Sequence, residues 1–145
     1  DEDGDPAVWD VVDPSFTVLN TERETFANVW TAYDPDFEAF HDRAAGLLAE
    51  YRHASELFPQ GFPPPSNLFD ISSLPWTSFT GFTLSLENAH DHLAPNVTIG
   101  RFVERNRETF MPLALQIHHA AADGYHVGRL LSALQDLLHD PTWMR

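Results

Sequence analysis

The sequence contains no cysteine and no lysine among its 145 residues. Without cysteine the chain has no disulfide framework, no thiolate nucleophile and no Cys-based zinc site. All eight basic residues are arginine, and the 22 acidic residues outnumber them, which leaves a formal net charge of −14. Nucleic-acid binding depends on a basic surface. We therefore expect no nucleic-acid partner.

Long hydrophobic runs are also missing. No stretch of about 18 consecutive apolar residues occurs, so the sequence predicts no membrane partner. No basic segment followed by an apolar one indicates a secretory signal. Hydrophobic residues still make up 43% of the chain. Together with the length, this indicates a single globular domain, residues 1–145, with one core.

The chain opens on the acidic stretch DEDGD. Asp-Gly is typical of a hairpin turn when strands flank it, and PAVWDVV follows as a strand, yet no strand precedes it. The sequence also lacks an initiating Met. We therefore expect that an N-terminal portion of the fold is missing from these residues.

Local patterns predict about three helices and six or seven strands. A hairpin is expected with its turn at Asp13–Pro14. Thr21 and Glu24 have the spacing of a capping box, which predicts a first helix. Asp34 is the expected N-cap of a second helix, which ends near His53.

The second half of the chain is predicted to be mostly strand. LFDIS is a short strand, and a longer one opens at Trp76, where Phe82, Leu84 and Leu86 alternate with polar residues. NVTIGRFV and TFMPLALQI follow as strands, and a leucine-rich helix begins near Gly124. Because helices and strands do not alternate strictly, the expected fold is α/β, a two-layer sandwich with a mixed, mostly antiparallel sheet.

The stretch LALQIHHAAADGYHV puts two histidines where an apolar run gives way to a turn. Strand alternation places His119 at the end of the apolar stripe, partly desolvated, and His118 on the other face. Asp123 is placed to cap the next helix. Three interpretations are open here: a core histidine beside a simple cap, a metal site that also uses His126, and a neutral histidine that accepts a proton. The divergence of the two histidines argues against the metal.

The segment PLALQIHHAAADGYHVGRLLSALQ resembles the signature of the chloramphenicol acetyltransferases. Its short form, HHxxxDG, is shared with the wider CoA-dependent acyltransferase superfamily. WDVVDPSFTVLN, RETF, LFPQGF, ISSLPWTSFTGF and LAPNVTIGRF occur in the family's order and approximate spacing. The resemblance covers nearly the whole chain and starts part-way into the family pattern. It implies the family's fold and transfer of acetyl from acetyl-CoA to a hydroxyl of chloramphenicol, which confers antibiotic resistance.

The resemblance implies a role for each matching residue of the centre. His119 would be the general base for the acceptor hydroxyl, and Ser72 in DISSLPW would donate to the oxyanion. Ser73 is adjacent, so that assignment depends on the LPW motif that follows. Asp123 would hold the turn by pairing with an arginine of the family's N-terminal part, for which this chain has no evident substitute. Thr98 would position a water; otherwise it is an ordinary strand threonine.

The cofactor and acceptor sites follow from the same resemblance. Arg101 matches a basic residue near the CoA phosphates, and Phe102 stands where the family usually has tyrosine. A basic cluster that suits an anionic cofactor is formed by Arg101, Arg105 and Arg107. A hairpin tip whose arginines are only exposed to solvent would have the same sequence pattern. Four residues match the family's chloramphenicol pocket: Phe26, Phe58, Phe82 and Leu84. Residues of these types lie in the hydrophobic core more often than in a binding pocket.

The resemblance further implies a cytoplasmic homotrimer with active sites between subunits. Acetyl-CoA would be a co-substrate, with no permanently bound cofactor and no metal. Two other functions are open: an acyltransferase of the same fold with another hydroxyl acceptor, and a non-catalytic, truncated family member.

Overall fold

The computed structural model describes residues 8–85 and 92–144. DEDGD and Leu86 lie outside these ranges. The described residues form seven strands, two α-helices and a short 3₁₀ helix. In chain order these are β1 (Asp13–Asn20), β2 (Thr25–Trp30), α1 (Phe37–Glu50), β3 (Leu68–Leu74), β4 (Asn96–Gly100), β5 (Val103–Arg105), β6 (Glu108–Phe110), β7 (Leu113–Gln116), α2 (Gly124–His139) and the 3₁₀ helix (Pro141–Met144).

Five strands form one mixed sheet in the order β2-β1-β3-β4-β7. β1 pairs with β2, and β4 with β7, in antiparallel direction, whereas the β1–β3 and β3–β4 pairs are parallel. β5 and β6 form a separate antiparallel hairpin. Its tip residues, Asn106 and Arg107, have φ angles of 55° and 68°, which are typical of a type I′ turn. The predicted α/β class with a mixed sheet is confirmed, while the five-stranded sheet has two parallel and two antiparallel pairs and is not mostly antiparallel.

The register gives this sheet one polar face and one apolar face. Residues that are partners across neighbouring strands share a face, as do residues two apart on a strand. The three most buried hydrophobic residues, Val18, Ala27 and Val29, all lie on the apolar face. The opposite face, called the polar face below, carries the polar residues Asn28, Ser15, Thr17, Asp70, Ser72, Asn96, Thr98 and Gln116, together with Trp30, Ala114, Leu19, Phe26, Leu68 and Leu74.

The helix predicted after Thr21 is wrong. Residues Thr25–Trp30 form β2, and Asp13–Pro14 begins β1 instead of forming a turn. Residues 21–24 make the turn between the two strands, with Glu24 at a φ of 54°. A capping box describes only local hydrogen bonds, whereas β1 and β2 pair continuously from Ser15–Trp30 to Asn20–Thr25. The strand pairing prevails for that reason.

The second predicted helix exists, but its N-cap is Asp36 and not Asp34. The Asp36 side chain accepts from the backbone N–H of Ala39 at 3.0 Å. Asp34 instead accepts from the backbone N–H of Asp36 at 3.0 Å and from Arg43 at 2.7 Å. These two contacts hold the pKa of the Asp34 carboxyl below its ordinary value.

In the second half, the strand predicted from Trp76 is not formed, because residues 75–85 contain no strand. The two strands predicted on either side of ERNRE are each interrupted, giving β4 and β5, then β6 and β7. The last helix begins at Gly124 as predicted. Within residues 8–85 and 92–144, no helix is long and apolar enough to cross a membrane.

Candidate active site

Ser72 and Thr98 form a hydroxyl pair at the middle of the polar face. They are direct partners in the β3–β4 register, and Thr98 is in turn the partner of Ala114 on β7. The Ser72 Oγ and Thr98 Oγ1 atoms lie 3.3 Å apart. Thr98 is only 4% exposed.

Ser73 is separated from this pair by strand geometry. It is the register partner of Ile99, so it lies on the apolar face, and its side chain is exposed. Ser72 alone of the two serines shares a face with Thr98. The assignment of the oxyanion donor to Ser72 stays a prediction.

A cavity of about 240 Å³ lies at the end of the polar face, beside the last residues of β7. Along the strands, the Asn96–Gln116 pair is two residues, about 6.6 Å, from the Thr98–Ala114 pair. The cavity therefore begins on the same face as the hydroxyl pair and one register step away from it, although Ser72 and Thr98 do not line it. Its lining residues are His92, Ala94, Asn96, Gln116, Ile117, His118 and His119.

His119 lies in the turn after β7 and is exposed. The expectation of partial desolvation at the end of an apolar strand is therefore wrong for the described chain. The strand ends at Gln116, three residues before His119, so the imidazole is carried by a turn and not by the sheet.

A hydrogen bond to the Ala122 carbonyl favours one tautomer of the His119 ring. Nδ1 lies 3.4 Å from the carbonyl oxygen of Ala122. A carbonyl only accepts, so this long hydrogen bond favours the tautomer with the proton on Nδ1. Nε2 then carries the lone pair, which is the arrangement that a general base requires.

His118 is held by the same turn. Its Nδ1 accepts from the backbone N–H of Ala120 at 3.1 Å. Both histidines line the one cavity, so the prediction that they point to opposite faces is wrong, because strand alternation does not continue past Gln116. In the parts of the chain that the structure describes, no group of three or more acidic, His or Cys side chains is arranged to hold a metal ion.

Asp123 caps α2. Its side chain accepts from the backbone N–H groups of Tyr125 at 3.0 Å and His126 at 3.2 Å, and lies 2.7 Å from Nδ1 of His126. The backbone hydrogen bond from His126, reinforced by the His126 side chain, holds the pKa of the Asp123 carboxyl below its ordinary value. The cap fixes the C-terminal side of the turn that carries His119.

Three polar residues near the cavity were missed by the sequence patterns. Asp70 accepts a short hydrogen bond from the buried Ser15 hydroxyl, and its other oxygen lies 3.8 Å from Nε2 of His92. Gln116 lines the cavity and binds the backbone of Leu84. These contacts join segments far apart in sequence, so only the alternation of polar residues within each strand could have indicated them.

Of the predicted cofactor residues, Thr98 lies in the middle of β4, whereas Arg101 and Phe102 lie at the far end of β4 from the cavity. Arg101 and Phe102 follow Gly100 directly and are exposed. The Arg101 backbone N–H donates to the Thr77 carbonyl at 2.8 Å. Arg105 ends β5 and Arg107 lies at the tip of the β5–β6 hairpin, and both are exposed. The basic cluster therefore extends from the segment before β5 to the hairpin tip.

The predicted acceptor residues do not form one contiguous wall. Phe26 is 56% exposed on the edge strand β2, and the Phe58 ring packs against Phe62 with centroids 5.5 Å apart. Phe82 packs against Phe79 at 5.6 Å. Among the described residues, no aromatic contact joins Phe26, Phe58 and Phe82. Leu84 is the one that the structure ties to the cavity, through Gln116.

Comparison with known proteins identifies the family of this chain. The family model described as chloramphenicol acetyltransferase matches residues 1–135. The chain belongs to the chloramphenicol acetyltransferase family. The sequence resemblance to this family is thereby confirmed.

Individual relatives carry the same name. A chloramphenicol acetyltransferase from Streptomyces acrimycini is 62% identical over 141 residues, which are 97% of this chain and 64% of the relative. One from Staphylococcus aureus is 37% identical over 98% of this chain and 66% of its own length. Chloramphenicol acetyltransferase 2 from Haemophilus influenzae is 42% identical over 88% of this chain and 59% of its own length. The chain thus spans just under two thirds of these relatives.

Solved structures of the family and its neighbours share the fold. A chloramphenicol acetyltransferase superposes with a TM-score of 0.78 at 22% identity, covering 90% of this chain and 63% of that one. A dihydrolipoamide acetyltransferase from Azotobacter vinelandii gives a TM-score of 0.66 at 20% identity, over 94% of this chain and 57% of that one. In that enzyme a serine, a histidine and an asparagine have been investigated for roles in catalysis.

Proposed function

We propose that the protein transfers the acetyl group of acetyl-CoA to a hydroxyl of chloramphenicol. The observation that carries the proposal is His119, whose Nδ1 is hydrogen-bonded to the Ala122 carbonyl and whose Nε2 is left as an acceptor. It lines a cavity at the end of the face that carries Ser72 and Thr98. The choice of chloramphenicol as acceptor and acetyl-CoA as acyl donor rests on membership of the chloramphenicol acetyltransferase family.

The reaction proceeds through a tetrahedral intermediate. Nε2 of His119 takes the proton of the acceptor hydroxyl as its oxygen attacks the thioester carbonyl carbon. The carbonyl oxygen becomes an oxyanion, to which the Ser72 hydroxyl donates. Collapse breaks the carbon–sulfur bond, and the leaving thiolate takes the proton from His119. The products are the acetyl ester and free CoA.

The remaining residues position these groups. Thr98, which is 3.3 Å from Ser72, orients the serine hydroxyl and holds a water at the intermediate. Asp123 holds the turn through its helix cap. Arg101 and Phe102, on the exposed segment after β4, bind the CoA moiety, where the Arg101 charge attracts phosphate.

The acceptor binds beside His119 against Leu84 and the ring of Phe82, and Phe26 and Phe58 are further proposed acceptor residues that lie apart from this wall. We propose a homotrimer in which the neighbouring subunit completes each site, as the family resemblance implies. The proposed location is the cytoplasm, since acetyl-CoA is an intracellular metabolite. Acetyl-CoA is a co-substrate here, and no permanently bound cofactor or metal takes part.

The decisive test is acetyl transfer to chloramphenicol by the full protein, followed through the thiol of released CoA. His119→Ala should abolish turnover without unfolding the protein, because a positioned base contributes about 10²–10⁴-fold. The matched control is His41→Ala, which removes an exposed imidazole of α1 and should leave turnover unchanged. Equal turnover by wild type and His119→Ala would refute the general-base role. Transfer only to other hydroxyl acceptors would refute the proposed acceptor, and folded wild-type protein inactive with every acceptor would identify a non-catalytic member.

A further inference from the structure

We propose that Gln116 is a positioning residue for acceptor binding, acting through Leu84. The inference rests on the proposed function, in which Phe82 and Leu84 form one wall of the acceptor pocket. Gln116 holds that wall beside the turn that carries His119. It does not itself touch the reacting atoms.

The contact between Gln116 and Leu84 is a two-point clamp. The Leu84 backbone N–H donates to Oε1 of Gln116 at 3.0 Å, and Nε2 of Gln116 donates to the Leu84 carbonyl at 3.0 Å. Both distances and both directions are those of a paired strand. The amide side chain thus takes the place that the backbone of a neighbouring strand would have beside Leu84.

The other end of this segment is fixed at β4. The Thr77 carbonyl accepts from the Arg101 backbone N–H at 2.8 Å. Phe79 packs so closely on Gly100 that a Cβ there would lie 2.9 Å from its ring. Residues 77–84 therefore run between two anchors, and Gln116 is the anchor at the cavity end.

Gln116 also lines the cavity that His118 and His119 share. It is the last residue of β7, three residues before His119. One side chain therefore connects the Leu84 backbone to the strand end from which the histidine turn departs. Loss of the clamp should let the Phe82–Leu84 wall move relative to His119 while the turn keeps its own hydrogen bonds.

A second glutamine in the chain provides a matched control. Gln60 clamps Trp30 at the opposite edge of the sheet: its Oε1 accepts from the Trp30 N–H at 2.7 Å, and its Nε2 donates to the Trp30 carbonyl at 3.0 Å. The chemistry is the same, but β2 is separated from β7 by three strands. A general loss of stability would affect both variants equally, whereas the larger effect on acceptor binding should follow from Gln116.

The test compares Gln116→Met with Gln60→Met in the full chain. Methionine keeps the length of the side chain and removes both hydrogen bonds. We expect Gln116→Met to raise KM for chloramphenicol about tenfold, as the loss of one or two modest hydrogen bonds predicts, with kcat and KM for acetyl-CoA nearly unchanged. Gln116→Glu, which still accepts from the Leu84 N–H, should recover part of the loss. Gln60→Met should leave kcat and KM for acetyl-CoA unchanged and should raise KM for chloramphenicol less than Gln116→Met does, because Gln60 lies on the side of Phe26 and Phe58 and not beside His119.

Hydrogen exchange of the peptide that contains Leu84 gives an independent measurement. Exchange should be faster in Gln116→Met than in wild type and unchanged in Gln60→Met. Unchanged exchange and unchanged KM in Gln116→Met would overturn the proposal, as would equal KM changes in both variants. If wild type is inactive with chloramphenicol, the proposed function fails and the role in acceptor binding fails with it, while the exchange rates still decide whether Gln116 holds the segment.

Discussion

At the residue scale, the sharpest distinction in the site is between two adjacent serines. Ser72 shares the polar face with Thr98, whereas Ser73 lies on the other face beside Ile99. We expect Ser72→Ala to lower kcat by about 10²-fold with little change in KM, because the oxyanion exists only beyond the ground state. Steady-state kinetics on chloramphenicol and acetyl-CoA measure both constants.

The control for this prediction is Ser73→Ala, which removes the same atom from an exposed position. It should retain wild-type kcat. If Ser72→Ala instead raised KM alone, Ser72 would be a binding residue. Equal losses in both variants would point to the geometry of β3 and not to a hydroxyl in the site.

At the element scale, the cap of α2 makes a prediction about pH. Contacts with His126 and Tyr125 lower the pKa of the Asp123 carboxyl in the folded protein. A group whose folded pKa is lowered stabilises the fold above its unfolded pKa, about 3.9, and loses that contribution as pH falls through the folded value. We therefore expect the free energy of unfolding to decrease as pH falls below about 4.

Two substitutions separate the charge from the cap in urea unfolding at pH 7 and pH 3. Asp123→Asn keeps a good N-cap acceptor and should unfold at a midpoint between those of wild type and Asp123→Ala at pH 7. Both variants should depend less on pH than wild type between these two values. An Asn variant as pH-dependent as wild type would show that other carboxyls are responsible.

At the scale of the whole molecule, the proposed trimer can be measured directly. If the neighbouring subunit completes each site, a single copy holds only part of it, and activity should require the assembly. Light scattering on the full protein should report three copies, and dilution below the assembly threshold should lower the specific activity. A monomer with undiminished acetyl transfer would contradict this prediction.

Local chemistry determined the parts of this protein that sequence reasoning predicted correctly. Asp123 followed by Gly124 and regularly spaced leucines begins α2 where expected, since a helix start depends on hydrogen bonds between near neighbours. The family signature around the two histidines is equally local, and the family assignment is confirmed. The roles of the individual site residues remain predictions.

Tertiary structure decided the rest, because the competing interactions come from distant residues. The segment after Thr21 has a helix-start pattern but becomes β2, since pairing with β1 satisfies its backbone along the full strand. The segment after Trp76 does not form the predicted strand. Its Leu84 backbone is instead hydrogen-bonded to the side chain of Gln116, 32 residues away in sequence. The polar face that joins Ser72 to Thr98 exists only through the register of β3 with β4, and single-strand alternation cannot set a register between strands.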